Sequence, residues 1–173
     1  MQVKIEVDLS PGTTASLRKL LDLAFEGDFS EEDWEHALGG VHFIGFLGET
    51  IIAHGAIVPR SMAINGERVT VGYVEAIAVL PMHWHKGYGT LLMEQITQFC
   101  LLNYELSMLS TDEQTFYLQL GWHQFLGKSF VNNANIEERS EEEDAGLMFL
   151  NSKEFEGREI QRVVCDSRVG DSW

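Results

Sequence analysis

The chain has 173 residues, with 12 Lys+Arg set against 27 Asp+Glu for a formal charge of −15, and 45% of its residues are hydrophobic. Such a composition excludes a disordered chain and fits one domain with a buried core. Nucleic acid and anionic membranes are bound through Lys/Arg clusters, and with none in the sequence both are excluded as partners; a cationic partner suits the charge instead.

No apolar run approaches the roughly 18–20 residues of a spanning helix, and the opening MQVKIEVDLS lacks the layout of a signal peptide, so a cytoplasmic location is expected. Cys100 and Cys165 show no metal-pair or CxxC spacing and read as buried, reduced thiols. No repeat or Pro/Gly/Ser linker divides the chain, which is taken as a single domain, 1–173, with an irregular C-terminal third.

In chain order, Val3, Ile5 and Val7 alternate with Lys4 and Glu6 as a short strand, residues 3–7. Leu17, Leu20, Leu21 and Ala24 then share one face of a helix predicted over 13–25. Ser30 followed by Glu31, Glu32 and Asp33 starts a second, short helix, which Gly39-Gly40 stops. Residues 41–47, 51–59 and 69–79 are β-rich, separated by Gly48-Glu49 and by the hairpin pair Asn65-Gly66, and predict an antiparallel meander. Leu91, Leu92, Ile96 and Phe99 mark a long helix ending near Asn103, and a strand is expected over 106–109. A strand, a helix and a strand in that order demand a parallel pair through a right-handed crossover. A helix over 113–120 closed by Gly121, then strand character over 123–130, completes a mixed α/β order, with the last strands open.

Acids crowd two stretches, 26–35 and 137–144, which hold 12 of the 27. Taken alone, such runs read as solvated surface. The six histidines, His36, His42, His54, His83, His85 and His123, show no metal-ligand spacing, and no metal is assigned. Trp34 and Trp122 read as core.

The segment Leu80-Pro81-Met82-His83-Trp84-His85-Lys86-Gly87-Tyr88-Gly89-Thr90 joins an apolar strand to an amphipathic helix. The first-turn amides of such a helix have no intrahelical partner and face the positive end of its dipole, so a pyrophosphate can dock there when no Cβ obstructs it. Gly87 and Gly89 lack that Cβ. A plain strand-to-helix turn would look the same, and the context favours the phosphate reading.

This turn, with the preceding Val74-Glu75-Ala76-Ile77-Ala78-Val79, resembles the acetyl-CoA site of the GNAT N-acetyltransferases, whose strand edge pairs with pantetheine amides and whose R/Q-x-x-G-x-G/A turn holds the pyrophosphate. Trp84 stands where that pattern has Arg or Gln. The resemblance narrows through Phe25-Glu26-Gly27-Asp28-Phe29, Asp33-Trp34-Glu35-His36, Leu38-Gly39-Gly40-Val41-His42, Gly72-Tyr73-Val74-Glu75, Phe116-Tyr117, Gly121-Trp122 and the block from Cys165 to Gly170-Asp171-Ser172-Trp173, which are similar to the aminoglycoside 2'-N-acetyltransferases over nearly the whole chain.

The resemblance implies a GNAT fold, a mixed sheet with antiparallel N-terminal strands and a splayed parallel pair. It also implies acetyl-CoA as co-substrate, bound by Ile77, Ala78, Val79, Trp84, His85, Lys86, Gly87, Tyr88, Gly89 and Thr90. The substrate implied is an aminoglycoside, and a homodimer is expected because the family commonly forms one.

Glu75 is informative on chemical grounds alone, because a carboxylate within an apolar strand must be paired or face a wet site. It reads either as a general base or as a structural carboxylate. Tyr117 alone reads as packing; the resemblance makes it the acid that protonates the leaving sulfur, with the Ile77 or Ala78 N–H stabilising the oxyanion. Asp28, Asp33, Ser110, Glu143, Asp144, Asp171 and the α-carboxylate of Trp173 are the implied substrate contacts, together with Glu75. Ser110 also suits an ordinary helix cap. Two rival readings keep the fold: an acetyltransferase for another amine such as a polyamine, and a cation-binding module without chemistry.

Overall fold

A computed structural model describes residues 1–152, 155 and 157–173. The chain forms two compact units, one of residues 1–58 and 74–96 and the other of 59–73 and 97–173. No helix among the described residues is long and apolar enough to cross a membrane.

In the first unit, β1 (Gln2–Glu6) pairs antiparallel with β2 (Val41–Leu47), which pairs antiparallel with the opening half of β3 (Thr50–Ile64). Helix α1 (Pro11–Ala24) starts where Ser10 Oγ accepts from the Thr13 amide, with Pro11 at the first turn where no donor is lost. Its face of Leu17, Leu20 and Leu21 packs with Phe29, Trp34, Ile44 and Ala78 in one buried cluster. Helix α2 (Glu31–Ala37) begins with a full capping box: Ser30 accepts from the Asp33 amide and the Asp33 carboxylate accepts from the Ser30 amide.

Gly40 is required for the chain's entry into β2. A Cβ there would lie 2.0 Å from the Ile57 carbonyl oxygen and 2.9 Å from the Val58 Cα, both backbone atoms that cannot step aside cheaply. Gly40→Ala is therefore expected to destabilise the fold by about 1–3 kcal/mol or more, read as a lower urea midpoint. An unchanged midpoint would mean that the strands separate at no cost.

The second unit carries the strand order β6 (His123–Gln124), β9 (Leu147–Asn151), β5 (Leu106–Ser110), β4 (Glu67–Val79), β3, β10 (Arg162–Asp166), β7 (Lys128–Asn133), β8 (Ile136–Arg139). Here β4 and β3 contribute the halves that flank their shared turn, where Asn65 and Gly66 take φ of 51° and 92°. Those paired positive angles match the right-handed twist of the flanking strands. Parallel pairing of β4 with β5 realises the predicted crossover through α3 (Tyr88–Asn103). Beyond β5 lie β9 and β6, while β10 pairs antiparallel with β3 and parallel with β7, which is followed by β8. The buried cluster of this unit includes Met62, Tyr73, Met108, Phe125, Val163, Cys165 and Trp173.

Two expectations change. Pro59 does not end β3: the pairing with β2 stops at Ile57 and that with β10 starts at Met62, so the proline falls in the gap between ladders, where its missing N–H interrupts neither. The C-terminal third is not irregular but supplies β7 to β10, with β10 inserted beside β3.

Candidate active site

In the first unit the site is built on the second half of β4. The parallel ladder with β5 covers Val71–Tyr73 against Leu106–Met108, and β4 runs on through residues 74–79. Within that run Ala76 takes φ of 51°, a left-handed conformation that is rare for a residue with a Cβ, and kinks the strand between Glu75 and Ile77. The kink leaves Glu75 half-buried. Ala78 packs inward against α1, whereas Ile77 points the other way, its Cδ1 filling the space over Gly55 beside Ile96.

The turn after β4 is a 3-10 segment, Pro81–His83, followed by two residues that both take left-handed angles, His85 at 58° and Gly87 at 80°. Helix α3 then starts at Tyr88, with Leu91 N donating to Gly87 O at 3.1 Å. The amides of Tyr88, Gly89 and Thr90 therefore precede the first intrahelical donor, Leu91 N, and lie at the positive end of a 16-residue helix. Side chains of the turn brace it from within. Trp84, 43% exposed, donates its indole N–H to the Val79 carbonyl at 2.6 Å, and Lys86 Nζ donates to the Met82 carbonyl at 2.8 Å. Trp84 thus ties the turn to the end of β4 in the place of a charged phosphate donor.

The second unit holds Tyr117 and an acidic cluster. Tyr117 lies on α4 (Gln114–Leu118), buried between Phe116 and Trp122 with ring centroids 5.0 and 6.3 Å away. Burial, and behind it the charge of Glu113, pushes its phenol up to about 12, so the group keeps its proton across the physiological range. Trp122 is fixed in turn by its indole N–H on Thr97 Oγ1 at 3.0 Å.

Glu143 ends a 3-10 turn, Glu141–Glu143. Burial raises its carboxyl above the ordinary range, the charges of Asp171, Glu142 and Asp112 raise it further, and a hydrogen bond with Ser110 works the other way. Three predicted contacts, Ser110, Glu143 and Asp171, are thus brought together. Trp173 belongs to the same region: its indole N–H donates to Ser140 Oγ at 3.0 Å and its amide to Asp171 Oδ1 at 3.0 Å.

Three predicted contacts are engaged within the protein, one of them the Trp173 α-carboxylate, which accepts from Arg168. The Asp33 carboxylate accepts from the Ser30 amide at 2.9 Å and hydroxyl at 2.8 Å, as the cap of α2. The Asp144 carboxylate pairs with Arg139 and accepts from the Ser129 amide and hydroxyl at 2.8 and 2.6 Å. Burial raises its pKa, but the bonds from Arg139 and Ser129 outweigh this and hold it below the usual carboxylate range. Asp28 is exposed.

The acetyltransferase (GNAT) domain family matches residues 9–125 of this sequence. An aminoglycoside 2'-N-acetyltransferase from Mycolicibacterium fortuitum is 37% identical over 172 residues, covering 96% of this chain and 88% of its own. The chain belongs to the GNAT acetyltransferases. The GNAT fold is seen again in the CoA complex of the Escherichia coli N-acetyltransferase YhbS, with a TM-score of 0.70 at 15% identity over 97% of this chain and 93% of that one. A probable N-acyltransferase from Enterococcus faecalis V583 gives a TM-score of 0.59 at 17% identity, over 72% of this chain, which spans only 33% of that protein's length.

Within this GNAT chain the sequence reading missed the groups that hold the terminal segment. Arg60 Nη2 donates to Ser172 O at 2.8 Å, and Arg168 donates through Nε to Asp171 O at 2.9 Å and through Nη2 to Trp173 O at 3.1 Å. No local pattern marks these arginines, because their acceptors are main-chain atoms far away in sequence or in an irregular segment. It also gave His54 no role, although a polar residue in the apolar run 51–57 is the same signal that singled out Glu75.

Proposed function

We propose that this chain transfers the acetyl group of acetyl-CoA to the 2'-amine of an aminoglycoside, by direct attack in a ternary complex and with the whole chain acting as one catalytic domain. The relative that is 37% identical over 96% of the chain carries this reading. The Ser110, Glu143 and Asp171 cluster supports it, since a polycationic sugar needs carboxylates to receive its ammonium groups.

The residues present fit the co-substrate. The kinked strand edge at residues 76–79, the left-handed turn at His85 and Gly87, and the α3 amides of Tyr88, Gly89 and Thr90 are the groups that would hold it. Acetyl-CoA supplies the thioester and departs as the free thiol. Glu75 takes the proton from the attacking ammonium nitrogen, so that its lone pair forms the C–N bond. The Ile77 or Ala78 N–H donates to the thioester oxygen as it gains charge. Tyr117 gives its phenolic proton to the departing sulfur and is reprotonated by the second proton that the nitrogen sheds as the C–S bond breaks, while Glu75 returns its own proton to solvent. Cys100 and Cys165 are buried, and burial raises their thiols to about 12 and about 11, so neither is poised to form an acyl-enzyme.

The charge of −15 supports a reading without nucleic acid or membrane partners, and a cytoplasmic homodimer completes the proposal. Thiol release with an aminoglycoside bearing a free 2'-amine, compared with one bearing a 2'-hydroxyl, tests the function. Rapid release with the first only, and an acetyl group located at the 2'-nitrogen by NMR, is the expected result. Equal rates with both place the chemistry on another amine.

A further inference from the structure

The kink at Ala76 has a buried support. His42 on β2 and His54 on β3 are 1% and 0% exposed, although both are polar. His42 Nδ1 lies 3.0 Å from His54 Nε2, and His54 Nδ1 lies 3.0 Å from the Ala76 carbonyl oxygen. Trp34 covers the pair, its ring 6.3 Å from His42 and 6.4 Å from His54.

The chemistry of the acceptor sets the direction of every bond. A carbonyl only accepts, so His54 Nδ1 carries the proton and donates to Ala76. Burial above all, then the neighbouring His42, pushes His54 down to about 3 against the opposing Ala76 bond, so the ring is neutral. Its Nε2 is then an acceptor, and the proton between the rings belongs to His42 Nδ1. The chain of donation runs one way, from His42 to His54 to the Ala76 carbonyl.

The Ala76 carbonyl shares its peptide unit with the Ile77 N–H. The described residues contain no cis peptide, so the two bonds point in opposite directions. Holding the carbonyl toward β3 therefore aims the Ile77 N–H away from β3, to the edge of β4 beyond its ladder with β5. Donation into the carbonyl also polarises the amide on the other side. A left-handed alanine persists only where its surroundings hold it, and this histidine pair does so.

We propose that His42 and His54 are positioning residues for acetyl transfer: together they lock the kinked 76–77 peptide and present the Ile77 N–H as the oxyanion donor. This rests on the function proposed above and deepens it, by choosing between the two candidate amides and naming what orients the chosen one.

The test is a pair of substitutions. His54→Leu keeps apolar volume but removes the donor, and should lower kcat roughly 10- to 100-fold with the KM for acetyl-CoA unchanged within about threefold. His54→Asn places an amide N–H where Nδ1 was and should recover most of the loss. In ¹⁵N-labelled protein the Ile77 amide resonance should move in His54→Leu and return in His54→Asn, a readout independent of turnover. Where His54→Leu does not fold, His42→Leu carries the same amide test.

Unimpaired kcat in a folded His54→Leu variant, or an Ile77 resonance that stays in place, overturns the positioning role and leaves the overall function intact. A wild-type protein inactive toward every 2'-amine overturns the function instead, and the amide resonance then decides the positioning by itself.

Discussion

Glu75→Gln is expected to lower kcat with a 2'-amino aminoglycoside by roughly 10²- to 10⁴-fold, the contribution of a placed general base, with acetyl-CoA affinity unchanged. Glutamine has the same shape and still accepts a hydrogen bond, so β4 keeps its kink at Ala76 and the half-buried site keeps its packing. Only proton removal is lost. The amine is protonated at neutral pH, and an ammonium nitrogen has no lone pair with which to attack. The variant's rate should therefore climb with pH as solvent deprotonates the amine, recovering part of the deficit in alkaline solution. Calorimetry with acetyl-CoA and a pH series of thiol release check both halves. A kcat equal to wild type at neutral pH would return Glu75 to a structural role.

The second large effect is at Tyr117. Tyr117→Phe should lower kcat by roughly 10²-fold or more through loss of the acid, while costing only about 1 kcal/mol of stability for one hydroxyl. The ring contacts with Phe116 and Trp122 survive in phenylalanine. The sign of the pH dependence follows from the buried environment. Burial disfavours the phenolate and Glu113 disfavours it further, so the phenol at about 12 remains an acid through neutral and mildly alkaline solution. The wild-type rate should show no decline from tyrosine ionisation until far above neutrality. A decline in wild type near pH 8 that Tyr117→Phe abolishes would contradict this environment for the phenol.

The elements carried by local patterns were legible from the residues. Ser10 and Ser30, with the apolar spacing of Leu17, Leu20 and Leu21, place α1 and α2, and Asn65-Gly66 places the hairpin, because caps, periodicity and tight turns depend on neighbours a few positions apart. The reach of β3 past Pro59 was not legible, since a proline's effect on a strand depends on which partner lies beside it. Nor was the seat of β10, whose parallel partner β7 begins more than thirty residues earlier. At the candidate site the resemblance singled out Gly87 and Tyr117 as expectations, whereas the commitments of Asp33 to a helix cap and of Asp144 to Arg139 needed coordinates. A carboxylate looks the same in a sequence whichever donor it meets.

The amino-acid sequence by itself determined a strongly acidic, folded α/β chain, a glycine turn between an apolar strand and a helix, and a place among the GNAT acetyltransferases. These follow from charge, periodicity and local motif, which are properties of adjacent residues. Tertiary structure alone decided that Ala76 adopts a left-handed angle and that buried His54, itself bonded to His42 on another strand, donates to its carbonyl. It also decided that Glu143 and Asp171 share one electrostatic neighbourhood. Each of those facts joins residues distant in the chain, and their interactions exist only once the burial of apolar surface has brought them within hydrogen-bond or Coulomb range.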